Sequence, residues 1–430
     1  HRSAGSTRSA DRSTHSITIR RAPVGRGMQA VILAAGAGTR LGPLTDSAPK
    51  PMLPVGDRPL VAHVADAAVE AGATEMVVVV GYRSDRVREY FADTHRGVPV
   101  RLVDQGEPTG TADAVLAARE HLDGDFAVLN GDNLYDPEDL SRLFERAPSV
   151  GVCPTDEPES YGIVAVEDGT VTGVTEKPSD PDGNLANTGA CVLPGAATDE
   201  LRVPLTDRGE RELTDVVDTL AGRLSVAPVR FGEWLDVATP PDLLAANELV
   251  LGRLDGRVEG TVHPDATLRG DVLVADGATV DAGVVVEGPV VVGPGAEVGP
   301  NAYVRGPTVV GSGAVVGHAV EVKASVVGPR SHVAHLSYVG DSLLGEDVNL
   351  GAGTKVANLR HDGDAVRLTV KGDRVSTGRR KFGAVVGPRT KTGIDTSIAP
   401  GVTLGAGART APGETVLRDR SRSDADGTDA

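Results

Sequence analysis

The sequence predicts an α/β protein in two parts: a doubly wound parallel sheet over residues 28–253, then a parallel β-helix over 254–416. Three observations carry this reading. Short apolar runs alternate with helically spaced apolar residues through the first part. A glycine-rich turn follows the first of those runs. In the second part an aliphatic residue returns every six positions from Val262 to Val322. The flanks have no such periodicity. Residues 1–27 carry six Arg and one Asp among many Ser and Thr, and Met28 stands directly before the first run. They are expected to be upstream sequence or a disordered extension, although Arg- and Ser-rich leaders also resemble organelle transit peptides. Residues 417–430 read as a disordered tail.

Composition sets the bounds. A length of 430 residues suits two or three domains. The formal charge of −17 argues against nucleic acid as a partner, and no apolar run is long enough for a membrane span. An acidic, Lys-poor chain fits a high-salt cytoplasm or an Arg-favouring GC-rich genome. Cys153 and Cys191 are too few for a disulfide framework or a zinc site, which fits a reducing, cytoplasmic setting.

The first strand is expected at residues 30–33 and runs into Ala34, Ala35, Gly36, Ala37, Gly38, Thr39 and Arg40. Glycines there let backbone N–H groups approach phosphate oxygens, and Arg40 adds a cation. Lys50, between Pro49 and Pro51, adds a second. The turn lacks the G-x-x-x-x-G-K-[ST] order of a Walker A loop. A helix follows from the spacing of Val61, Val64, Ala65, Ala68 and Val69. Further strands are expected at 76–80, 100–103 and 126–129. Asn130, Gly131, Asp132 and Asn133 follow the last of these, where an open α/β sheet places its ligand groups. Only seven residues are Lys, and just Lys50 and Lys177 occur in the first 320. Where Arg dominates so strongly, these two are candidates for a required compact ammonium.

The longer pattern G-x-G-T-R, nine residues, then K-P resembles the signature of the sugar-1-phosphate nucleotidylyltransferases, which join an NTP to a sugar phosphate. The resemblance covers essentially all of 28–250 and implies roles. It gives catalytic roles to Arg40 and Lys50. Nucleotide contacts fall to Ala35, Gly36, Gly38, Thr39, Gln105, Gly110 and Thr111, and sugar contacts to Gly162 (after Tyr161), Glu176, Lys177 and Asn187. Mg²⁺ accompanies an NTP and takes one or two carboxylates plus phosphate oxygens. Asp132 is the first candidate. Asp236 is the second, in a segment that resembles W-x-D-x-G-T with Ala238 in place of Gly. The plainer readings are a turn aspartate for Asp132 and a helix-start acid for Asp236.

The six-residue period continues as Val262, Leu268, Val274, Val280, Val286, Val292, Val298, Val304, Val310, Val316 and Val322. Six is no multiple of 3.6, and the intervening Gly and Pro would break a helix, so a β-helix of three hexads per coil is expected. The resemblance is to left-handed hexapeptide-repeat helices. The phase slips near Val327, Val333 and Val339 and resumes at Leu344, Leu350 and Val356. It breaks over 358–382 and returns at Val386, Thr392, Ile398, Leu404, Thr410 and Val416. An interrupted solenoid marks a loop leaving the coil, either functional or a tolerated insertion.

Before the break lie HLSYVGDS, from His335, and VNLGAGT, from Val348. They resemble the acetyltransferase domain of the bifunctional UDP-N-acetylglucosamine pyrophosphorylase / glucosamine-1-phosphate N-acetyltransferases, in the archaeal form with a long loop. That resemblance makes His335 the general base. It makes Arg305, Lys323, Tyr338, Asn349 and Asn358 sugar-phosphate ligands, and it places Ala352, Gly393 and Ala411 along acetyl-CoA. It also implies a homotrimer. Asp364 stands where bacterial members carry a substrate-facing Lys, and Arg360, Arg367, Lys371 or Lys381 could supply that charge. The resulting expectation is acetyl transfer from acetyl-CoA to an amino-sugar 1-phosphate, then uridylyl transfer from UTP with Mg²⁺. A monofunctional sugar-1-phosphate nucleotidylyltransferase with a regulatory or oligomerising β-helix is the alternative, and a scaffold with decayed sites a further one. UTP versus dTTP, and glucosamine versus galactosamine, stay open.

Overall fold

The computed structural model describes residues 27–106, 109–206 and 209–421. The expectations for residues 1–26 and 422–430 lie outside the described residues.

The first half is an open sheet with helices on both faces. Strands β1 (Met28–Ala34), β2 (Ala73–Val80), β3 (Val98–Asp104) and β4 (Phe126–Asn130) are mutually parallel, in the order β4-β1-β2-β3. Successive residues of β1 and β2 enter opposite cores. Ala30, Ile32, Met76 and Val78 pack on one face, and Val31, Val77 and Val79 on the other. Burial on both faces is why these runs are continuously apolar rather than alternating. Antiparallel strands extend the far side: β9 (Leu185–Leu193) pairs with β4 and carries the hairpin β7 (Gly162–Glu167) and β8 (Thr170–Glu176). The short strands β5 (Asn133–Tyr135) and β11 (Trp234–Asp236) pair antiparallel above the carboxyl end of β4; between β5 and β11 in sequence lie β6 (Ser149–Pro154) and β10 (Ala227–Arg230), paired in parallel. Helices α1 (Leu60–Glu70), α2 (Asp85–Phe91), α3 (Thr111–Ala118), α4 (Pro137–Phe144), α5 (Leu213–Ala221) and α6 (Pro240–Leu251) complete this half. Thr239 and Asp242 form a capping box at the start of α6, with Pro240 at its first position.

The second half is a three-sheet parallel solenoid, the arrangement of a left-handed β-helix. In-register partners sit 18 residues apart at first, as Val272↔Val290↔Thr308. They close to 17 at Val309↔Val326, which is the phase slip seen in the sequence. The period-six aliphatics form one continuous core from Val272 to Val416. The interruption is a loop: Leu343 pairs with Val385, and between them the chain makes a hairpin, β12 (Arg367–Val370) and β13 (Asp373–Ser376).

One solenoid sheet is also apolar on its outer face. Its triplets place Leu273, Val291, Val309, Val326, Leu343 and Val385 outward, yet each is at most 2% exposed. They are covered by Leu41, Leu44, Leu53 and the α6 residues Leu243 and Leu244. Arg86 holds Glu346 across this contact at 2.9 and 3.0 Å, and Arg379 pairs with Glu248 of α6. The two halves are therefore packed on each other, and the β12–β13 hairpin lies between them.

Candidate active sites

Lys50 organises the first site. It is 6% exposed, and its Nζ lies 2.5 Å from Asp132 Oδ2 and 3.9 Å from Asp236 Oδ1. The pairing of β5 with β11 sets Asp236 opposite Asn133 and so beside Asp132. Gly38 makes the approach of Lys50 possible. Its φ is +64°, and a Cβ there would lie 2.6 Å from Lys50 Cβ. The glycine-rich turn is thus needed twice, for its backbone conformation and for the passage of the lysine. Gly36 has open space around it, leaving room over the turn for a ligand.

The plainer readings of the two aspartates do not hold. The Asp132 carboxylate receives a hydrogen bond from Lys50. Asp236 lies in a strand, and the cap of α6 is made by Asp242. Burial first, then the Asp132 charge, pushes the Asp236 carboxyl up to about 6, against the pull of Lys50 and Arg40. Such a pair is short of positive charge. Among the described residues no third His, Cys, Asp or Glu joins it as a metal cluster. A cation bound here would complete its shell from phosphate oxygens and water, which suits Mg²⁺.

Two cavities meet at this centre. One, of about 620 Å³, is lined by Ala35, Gly36, Gln105, Gly110, Thr111 and Asp132. Gln105 Nε2 donates to Gly110 O at 2.9 Å, tying two of the expected nucleotide residues together. The other, of about 540 Å³, is lined by Arg40, Asp132, Gly162, Glu176, Lys177 and Asn187 among others. Thr111 and Asp132 border both. Tyr161 stacks edge-on against Trp234 at 5.1 Å, and burial with the Asp236 charge pushes its phenol up to about 12. Thr39 is exposed next to Arg40 and borders neither cavity among the lining residues given above.

Asn130, which the sequence placed at the ligand end of the sheet, lines both cavities; the sequence reading did not single out Glu212, which also lines both, or Leu368, Val370 and Val375, which line the second from the β12–β13 hairpin. It associated that loop with the acetyl site, whereas its hairpin lies at the other one. Arg367 and Lys371, considered as suppliers of charge to the acetyl site, sit on a hairpin that walls the nucleotidyl cavity. Arg367 Nη2 donates to Arg374 O within it. Arg360 is paired with Asp362, and the Lys381 backbone bridges to Leu359 at the loop's base, with the residue itself exposed.

The second candidate site is spread over the solenoid. Arg305 and Lys323 are in-register neighbours on successive coils, and Lys323 aligns with Gly340 on the next. Asp341 Oδ2 accepts from Lys323 Nζ at 2.7 Å and from Asn358 Nδ2. A Cβ on Gly340 would lie 2.6 Å from the Tyr338 hydroxyl and 2.9 Å from Asn358 Nδ2, so Tyr338, Asn358 and Lys323 converge. Asp341 is the organiser that sequence reasoning quoted without giving it a role. Burial raises the Tyr338 phenol, with Lys323 opposing. Asn349 lies on a different sheet, in register with His332. His335 is exposed on the turn before Tyr338. Gly317 is stacked against its backbone N, and Gly351, Gly393 and Ala411 stack on later coils of the same edge. Ala352 adjoins Gly351. His335 and the three expected acetyl-CoA positions thus share one edge of the solenoid.

With this geometry in place, comparison with known proteins is informative. Residues 29–252 match the profile of the nucleotidyl transferase family, and 286–382 match that of the GMPPB C-terminal domain. The chain is 37% identical over 382 residues to the bifunctional protein GlmU of Methanocaldococcus jannaschii, covering 88% of this chain and 92% of that protein. The chain belongs to this family. It is also 36% identical over 400 residues to the bifunctional sugar-1-phosphate nucleotidylyltransferase/acetyltransferase of Sulfurisphaera tokodaii, covering 91% of this chain and 98% of that protein. A UTP–glucose-1-phosphate uridylyltransferase of Haloferax volcanii is 37% identical over 228 residues, half of this chain.

Proposed function

We propose that this family member performs two reactions. At the solenoid it transfers acetyl from acetyl-CoA to the amine of an amino-sugar 1-phosphate, glucosamine-1-phosphate foremost. At the first-half site it transfers uridylyl from UTP to N-acetylglucosamine-1-phosphate and releases pyrophosphate. The observation that carries the reading is Lys50 held between Asp132 and Asp236 where the two cavities meet.

In the nucleotidyl reaction, the larger cavity takes the nucleoside, with Gln105 and Thr111 at its wall. The second takes the sugar phosphate, with Lys177 and Arg40 as its cations and Glu176 and Asn187 as sugar partners. The sugar phosphate oxygen attacks the α-phosphorus of UTP and the P–O bond to pyrophosphate breaks. Lys50 and Arg40 are aimed at the charge that spreads over the phosphoryl oxygens in that transition state. Asp132 and Asp236 would hold Mg²⁺, which when bound adds charge neutralisation.

In the acetyl reaction, Arg305, Lys323, Tyr338 and Asn358 would hold the sugar phosphate, with Asn349 contributing from the neighbouring sheet. His335 would take the proton of the amine as it attacks the thioester carbonyl, and acetyl-CoA would follow the edge marked by Ala352, Gly393 and Ala411. Imidazole is suited to this because it titrates near neutral pH. Exposed His335 and the split between sheets are what a site completed by a neighbouring copy would show, and a homotrimer in the cytoplasm is part of the proposal. Full-length similarity to bifunctional relatives favours this over a monofunctional enzyme with a passive solenoid.

The test measures coenzyme A release with glucosamine-1-phosphate or galactosamine-1-phosphate, and pyrophosphate release with UTP or dTTP. Turnover of glucosamine-1-phosphate by the first assay and UTP by the second supports the reading. Nucleotidyl turnover with no coenzyme A release from either amino sugar would leave the monofunctional alternative.

A further inference from the structure

The β12–β13 hairpin belongs to the solenoid half by sequence, yet it forms a wall of the nucleotidyl site. Its register is Leu368↔Val375 and Val370↔Asp373, so Leu368, Val370 and Val375 share one face. These three aliphatics line the sugar-phosphate cavity. The other face is fixed to the last coils: Thr369 Oγ1 bonds Asp419, and Arg374 Nη1 donates to Gly401 O at 3.2 Å. The base is pinned as well. Thr377 Oγ1 bonds Val366 O at 2.8 Å, Phe382 is fully buried, and Arg379 pairs with Glu248 of α6. Held on the face away from the cavity and at its base, the hairpin is a positioned wall.

The chemistry of the wall contrasts with the rest of the cavity. Elsewhere the lining includes Trp234, Tyr161 and Leu213 but is dominated by charged and hydrogen-bonding groups such as Arg40, Asp132, Glu176, Lys177, Asn187 and Asp236. Such groups suit hydroxyls and phosphate but offer nothing to a methyl. Leu368 is only 1% exposed, whereas Val375 is 38% exposed. Val375 therefore has apolar surface still to cover, and Val370 on the same face is half-buried. An ammonium brought against these side chains would lose hydration without a partner, whereas an acetamido methyl would gain cover.

We propose that Val370 and Val375 form a specificity wall that favours an N-acylated amino-sugar 1-phosphate over its free-amine and 2-hydroxyl counterparts at the nucleotidyl site. This rests on the nucleotidyl function proposed above and goes further by naming what selects the sugar.

The experiment uses the full chain and its Val375→Ser and Val370→Ser variants. It measures kcat and KM for UTP-dependent pyrophosphate release with N-acetylglucosamine-1-phosphate, glucose-1-phosphate and glucosamine-1-phosphate. One apolar contact in a pocket typically discriminates about 10-fold or somewhat more. The expected result is a roughly 5- to 20-fold rise in KM for the acetylated substrate, little change in its kcat, and little change for glucose-1-phosphate, so the ratio of kcat/KM values collapses by that factor. A hairpin serving only to hold the halves together predicts equal losses for all substrates with a lower melting temperature, or no change at all. Either result overturns the proposal. Wild-type protein inactive with every sugar phosphate would bring down the nucleotidyl reading itself, and this inference with it, whereas active wild type with unchanged discrimination in both variants defeats the inference alone.

Discussion

Replacing Asp236 by Asn should make the protein more stable at neutral pH while removing nucleotidyl transfer. In the wild type the Asp236 carboxyl is raised from 3.8 to about 6, chiefly by burial and by Asp132. About two units at roughly 1.4 kcal/mol each set an upper bound near 3 kcal/mol for the cost of ionising it in the folded state. The charge is shared with Asp132 and partly answered by Lys50, so about 1–3 kcal/mol is expected. The sign follows from linkage. A carboxyl raised on folding is no burden below its unfolded value near 4, where it is protonated in both states. It becomes one as pH rises from about 4, where the unfolded chain ionises first, and the cost is complete above about 6. The variant's advantage should therefore be present at pH 8 and vanish near pH 4. Lys50 keeps its closer partner, Asp132, at 2.5 Å. For a unit the size of the first half this is about 2–8 °C in melting temperature. The chain has a single Trp, Trp234, two residues from Asp236 and on the same strand. Its fluorescence in chelator-treated protein reports unfolding at the site itself. A variant no more stable than wild type at pH 8, or equally advantaged at pH 4 and pH 8, would refute the reasoning.

Other perturbations follow from the same geometry. Lys50→Ala should lower nucleotidyl turnover by about 10²- to 10³-fold and leave coenzyme A release unchanged, since the solenoid site shares no residue with it. Parallel assays on one preparation check this, and retained pyrophosphate release would remove Lys50 from the mechanism. Gly38→Ala should cost about 1–2 kcal/mol from its positive φ and displace Lys50, so both the melting temperature and nucleotidyl kcat should fall. A variant with wild-type values of both would show the turn to be more accommodating than its geometry implies. Light scattering over a range of salt should give three chains per particle, and a monomer throughout would contradict the trimer.

Much of the fold was legible because its signals are periodic. An aliphatic every six residues admits few structures other than a solenoid, and a run such as 76–80, apolar at every position, asks for burial on both faces. The nucleotidyl centre was legible for a different reason: Gly38, Lys50, Asp132 and Asp236 each answer a local need for close approach or charge. What the chain order hid was how the halves meet. The signal existed in Leu273, Val291, Val309, Val326, Leu343 and Val385, outward positions that are aliphatic coil after coil, but it is visible only once the inward phase is known. The hairpin was hidden more deeply. The polar and basic residues around 358–382 suggested a partner for the sugar phosphate of the solenoid. The aliphatics Leu368, Val370 and Val375 among them carry the face that turns to the other half.

The central claim, two chemistries in one chain, is tested most directly at His335. The His335→Ala variant should be assayed for coenzyme A release with glucosamine-1-phosphate and for pyrophosphate release with UTP and N-acetylglucosamine-1-phosphate, with its melting temperature measured on the same preparation. Loss of a general base predicts a fall of about 10²- to 10⁴-fold in the first reaction. The second should persist and, because His335 is exposed, the melting temperature should hold. A stable variant that still acetylates at the wild-type rate would contradict the account.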